Sequence, residues 1–79
     1  MEMNELREKA QFFFDKKIFT HIDTKDKSYY NGLIIQLNQT FLVISDRVVG
    51  IVPVAFSEIE KINEFREKRD DKLEKMPKM

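Results

Sequence analysis

A chain of 79 residues with no cysteine has room for one domain and cannot be stapled by disulfides or thiolate-held metal. Its 14 basic and 14 acidic side chains cancel, so any nucleic-acid contact would need a local patch rather than an overall basic field. Self-association is the remaining way to reinforce so small a core. The opening Met1-Glu2-Met3-Asn4-Glu5-Leu6 is too polar for a signal peptide. No apolar run has membrane-spanning length, so a cytoplasmic protein away from membranes is expected.

Residues 4–15 read as an amphipathic helix. Asn4 is a good N-cap type, and Glu5 suits the first turn. Leu6, Ala10, Phe13 and Phe14 recur at helical spacing and form one apolar stripe, with Phe12 lying off it. Lys16 and Lys17 suit the C-terminal end, where the dipole favours cations.

Residues 18–62 are rich in strand signals. Ile18, Thr20 and Ile22 alternate with Phe19 and His21 in a first strand, and the polar run from Asp23 to Ser28 is a turn. Tyr29 to Leu37 reads as the second strand. Within it Gly32 is costly unless a bend or a close backbone approach requires it. Asn38-Gln39-Thr40 forms the next turn and Phe41 to Ser45 the third strand. Asp46-Arg47 is expected as a tight hairpin connection to a fourth strand from Val48 to Val52. Pro53, which has no N–H to give a ladder, marks a strand end or an exposed edge. Ser57-Glu58 is turn-like, and Ile59 to Ile62 makes a short fifth strand.

Residues 63–79 are highly charged. Ile62, Phe65, Leu73 and Met76 fall near one helical stripe, interrupted by Arg69, and Glu64–Lys68 and Asp71–Lys75 have the favourable i, i+4 order. Lys68–Lys72 and Asp70–Glu74 repel, and Pro77 stops a helix. A marginal helix fraying into a disordered tail is expected.

Chemistry-bearing residues are sparse. His21 is the only histidine, which leaves a transition-metal site almost no material. Ser28, Ser45 and Ser57 have no identifiable base and orienter. Two glycines cannot build a phosphate loop. Neither an enzyme nor a bound cofactor is expected. Tyr29 and Tyr30 face opposite sides of a strand, so one packs inward while the other is available for stacking. Arg47, at a hairpin tip, is one of the few cations available to a face of the domain.

The layout of one helix and five short strands resembles the Sm-like family, the small barrels of the Sm, LSm and Hfq proteins. Gly32, Ile34, Leu37, Asn38 and the run Phe41-Leu42-Val43-Ile44 meet that family's central pattern, and Asn38-Gln39 looks like the Asp-Gln step of Hfq. Thr24-Lys25-Asp26-Lys27 resembles the family's Asp-Gly turn with lysine in place of glycine, and Ser57-Glu58-Ile59 resembles its turn into the closing strand. The resemblance implies a mainly β fold: an N-terminal helix and a strongly bent five-stranded barrel as one domain over residues 1–62, followed by a charged tail over 63–79. It implies a homo-oligomeric ring closed by pairing the fourth strand of one copy with the fifth of the next.

It also implies single-stranded, uridine-rich RNA held at Asn38, Gln39 and Thr40, with Tyr30 and Arg47 as further contacts. Two departures weigh against that site. Thr40 stands where Hfq-like chains offer an aromatic ring. Pro53-Val54 and Phe56-Ser57 stand where the family carries a cation at the closing turn. A protein-interaction ring that has kept the barrel and lost the pocket is the alternative.

Overall fold

The computed structural model describes residues 2–66. A helix α1 (Met3–Lys16) leads into five strands, β1 (Thr20–Thr24), β2 (Tyr29–Leu37), β3 (Phe41–Asp46), β4 (Gly50–Ala55) and β5 (Ile59–Glu64). A single 3₁₀ turn, Phe56–Glu58, joins the last two. All pairings are antiparallel and the order is β4-β3-β2-β1-β5, so β4 and β5 are the two edges. The fold is therefore mainly β, a helix followed by a bent five-stranded antiparallel sheet.

Two irregularities bend it. Pairing of β2 with β3 slips between Ile34↔Ile44 and Gln36↔Val43, leaving Ile35 without a partner. The extra residue flips the inward phase, so Ile34 and Leu37, three apart, both pack on the core. In β5 the pairing with β1 slips between Asp23↔Lys61 and Thr24↔Ile59, and Ile59 and Ile62 both become buried. A flat strand with period two could not turn both members of either pair inward. One cluster results, in which Leu6, Ala10 and Phe13 of α1 meet Ile22, Ile34, Leu42, Ile44, Val54, Phe56, Ile59 and Ile62.

Element boundaries differ from the sequence expectation at several points. The helix begins one residue earlier, with Glu2 at the N-cap and no side-chain cap bond; Asn4 instead accepts from Arg7 Nη1 at 3.5 Å. At the other end Lys17 adopts a left-handed conformation (φ 55). Lys17 N–H then bonds Phe14 O and Ile18 N–H bonds Phe13 O, which spends Ile18 on closing the helix rather than on starting β1. Lys27 is also left-handed (φ 74), and its N–H bonds Thr24 O in the β1–β2 turn, at the place where the resemblance implied glycine.

The β3–β4 connection is a three-residue turn, Arg47 to Val49, and Val48 and Val49 are exposed instead of entering the fourth strand. The cause is Asp46, whose Oδ2 accepts from Val48 N at 2.8 Å and Val49 N at 2.9 Å and curls the chain around itself. Gly50, at φ 90, brings the chain back opposite Asp46. Pro53 lies within β4 rather than at its end, on an edge where a missing donor is tolerated. The last strand runs two residues beyond the expected boundary at 62, and Phe65 N–H still bonds Phe19 O at 2.9 Å. Phe65 thus packs edge-on against Phe19 (5.5 Å between centroids) instead of joining a helical stripe. Of the tail expected over 63–79 as a fraying helix, Asn63 and Glu64 belong to β5, and residues 67–79 lie outside the described residues.

Gly32 is flanked by Thr20 on β1 and Asp46 on β3. A methyl group built on it would stand 1.8 Å from the Ser45 carbonyl oxygen and 2.7 Å from the carbonyl carbon. Backbone on both sides leaves no flexible side chain to yield. Gly32→Ala is expected to unfold the domain or lower its stability by at least about 3 kcal/mol, read as the urea midpoint. A variant within about 1 kcal/mol of the wild type would contradict so close an approach.

Candidate nucleic-acid interface

The turn between β2 and β3 is organised by one side chain. Asn38 Oδ1 accepts from Thr40 N at 3.0 Å, Phe41 N at 2.9 Å and Thr40 Oγ1 at 3.3 Å. Asn38 N–H also bonds Phe41 O at 3.0 Å, which closes the hairpin. The acceptor side of Asn38 is thereby committed to the fold. Its Nδ2 donors and the whole Gln39 amide find no protein partner among the described residues.

Thr40 O accepts from Phe56 N at 3.0 Å, tying this turn to the 3₁₀ turn ahead of β5. The result is a cleft of about 300 Å³ lined by Asn38, Gln39, Leu37 and Phe56, with Arg7 and Gln11 contributed by α1. Phe56 is fully buried, and the Arg7 guanidinium lies over its ring at 6.0 Å. Gln11 Nε2 donates to Asp15 Oδ1 at 2.9 Å. Asn38 and Gln39 therefore meet in one concavity. Arg7 and Gln11, which sequence reasoning passed over, complete it. The available signal was their i, i+4 spacing beside the Leu6–Ala10 stripe, which sets both on one flank of the helix.

The two other residues named from the sequence lie elsewhere. Tyr30 pairs with Ile22 and packs, half-buried, against the core; Tyr29 is the outward one, with its ring 5.8 Å from His21. Arg47 sits at the β3–β4 turn, at the opposite end of β3 from Thr40, with its guanidinium 5.1 Å from the Phe65 centroid. His21 spans two strands, with Nδ1 against Asn31 Oδ1 and Nε2 against Asp23 Oδ1 at 3.0 Å. Among the described residues no three histidine or acidic side chains converge as a metal site would require, and no helix is long and apolar enough to cross a membrane.

Compared with known proteins, the sequence matches no family model and no curated protein.

Among the described residues, Asp46 is the buried ionisable side chain. Burial pushes its carboxyl up, but N–H donors from Val49, Asn31 and Val48, together with the Arg47 charge, more than offset this and hold it below the ordinary aspartate value. A depressed native value means that ionised Asp46 stabilises the fold fully above the unfolded value of about 4. That contribution disappears as pH falls through the lower native value. Asp26, bonded by Thr24 Oγ1 and the Ser28 N–H, is shifted in the same direction. Asp46→Asn keeps one acceptor oxygen but not both, and is expected to cost about 1–3 kcal/mol at neutral pH. Its stability deficit should shrink on acidification below about pH 4, measured by thermal unfolding across a pH series; a deficit independent of pH would rule out the ionised carboxylate as the cause.

Proposed function

We propose that this chain is an Sm-like protein that forms a homo-oligomeric ring and binds single-stranded, uridine-rich RNA at the β2–β3 turn. The observation that carries the reading is the cleft at that turn. It offers the uncommitted Nδ2 donors of Asn38 and the Gln39 amide, beside Leu37 and the buried Phe56 ring. Asn38 donates to a base carbonyl, while the Gln39 amide can both donate and accept, a combination suited to the uracil edge with its two carbonyls and one N–H. Single-stranded bases present such edges, unlike bases within a duplex.

The ring is supported by the strand order. β4 and β5 are both edges, each with a row of backbone groups that lacks a neighbouring strand. Ile51 on β4 and Leu33 on β2 are exposed on the outer face, aligned across Ser45. Burying them would supply the apolar area that a domain of this size is short of.

A second reading, a protein-interaction ring without RNA, is favoured by the neutral net charge and by the absence of a cation in Pro53-Val54 or Phe56-Ser57. The readings separate by titration of labelled oligouridine at two salt concentrations. Binding that weakens steeply with salt is expected; none at tens of micromolar protein with an intact ring would leave the second reading. Asn38→Asp preserves the acceptors that hold the turn while removing the donors, so it should fold normally and bind far less; Gln39→Ala should also weaken binding. Native mass spectrometry should show multiples of the 9.5 kDa chain. A monomer at micromolar concentration would refute the ring.

A further inference from the structure

We infer that Arg7, carried by α1, is the phosphate anchor of the RNA cleft and replaces the cation that the turn before β5 does not supply. The inference rests on the RNA reading of the same cleft and adds to it a residue from a different element. Three observations carry it.

The first is position. Arg7 lines the cleft together with Asn38 and Gln39, and its guanidinium lies over Phe56, the residue that opens the 3₁₀ turn. A helix-borne cation therefore reaches the neighbourhood where Pro53-Val54 and Phe56-Ser57 provide none. The second is an unmet donor. Arg7 Nε is buried and has no hydrogen-bond partner, while Nη1 reaches Asn4 Oδ1 only at 3.5 Å. The guanidinium therefore makes no strong hydrogen bond within the chain, and its terminal Nη groups at the wall of the cleft are left to an acceptor from outside. The third is the match of chemistry. A guanidinium presents paired N–H groups on its two Nη atoms, and a phosphate presents paired oxygens that accept them side by side. The contact with the Phe56 ring holds the side chain at the cleft, so less side-chain freedom is lost when the anion arrives.

The arrangement divides the work within one nucleotide. The Asn38 and Gln39 amides meet the base edge, the part-exposed Leu37 takes the apolar part, and Arg7 takes the phosphate.

Two measurements test this on the full-length chain. In the first, oligouridine is titrated against wild type, Arg7→Gln, Arg7→Lys and Lys25→Gln, the last an exposed cation in the β1–β2 turn outside the cleft. Arg7→Gln is expected to bind about tenfold or more weakly and to lower the slope of log affinity against log salt by about 0.7. Arg7→Lys should recover part of the affinity by charge alone, and Lys25→Gln should bind as wild type does. In the second, which requires no substitution, uridine 5′-monophosphate is added to the wild-type protein and the Arg7 Nε–H resonance is followed by NMR alongside the Gln39 side-chain amide. Both are expected to shift with the same saturation. Wild-type binding of oligouridine with an unaltered affinity and salt slope in Arg7→Gln, or a Gln39 response without one from Arg7, overturns the assignment of Arg7 and leaves the RNA site standing. Absence of any oligouridine binding by the wild type overturns both.

Discussion

At Gly32 the backbones of β2 and β3 approach until a single methyl would lie 1.8 Å from the Ser45 oxygen, and the neighbouring contacts are placed by that closeness. Asn31, the preceding residue, gives its N–H to Asp46 Oδ1 at 2.7 Å and receives the Arg47 N–H on its carbonyl at 2.9 Å. The second Asp46 oxygen then shapes the turn into β4. A missing side chain in the middle of a sheet thus determines where a buried carboxylate sits, and the carboxylate determines where an edge strand begins. Local cost and global gain are separated by a whole strand, as is common where backbones must nearly touch.

Much of this could be read from residue types. The glycine was conspicuous inside an apolar strand, the Asn38–Thr40 turn was bounded by alternating runs, and the apolar stripe of α1 identified its buried face. The bulges were harder. Ile34 with Leu37, and Ile59 with Ile62, are inward-facing pairs three residues apart; that spacing conflicts with strand periodicity and fits a helix as well as a bulge. The valines after Arg47 misled for a different reason. Their strong β propensity describes a side chain on a pleated surface, whereas here the Asp46 carboxylate recruits both of their N–H groups and overrides it.

The cleft was legible by half. Asn38 and Gln39 announce themselves as polar residues between two apolar runs. Arg7 does not, because it lies 31 positions before Asn38 in the chain and looks like any solvated helix residue. Its i, i+4 spacing with Gln11 sets both on one flank of the helix, but only the docking of α1 over Phe56 brings that flank to the turn. Tyr30, the inward member of the tyrosine pair, packs half-buried against the core, away from the cleft.

Lys17 and Lys27 occupy backbone conformations that usually belong to glycine. Each carries steric strain of about 1 kcal/mol that glycine would avoid, and each also gives the denatured chain fewer states to abandon. Neither bend is therefore self-supporting in the way a glycine turn is. The reversal after α1 and the one between β1 and β2 persist because the segments they connect are already docked. Such corners do not act as early local nuclei: helix placement and the first hairpin must consolidate together with the sheet, so the small domain is expected to fold and unfold as one cooperative unit.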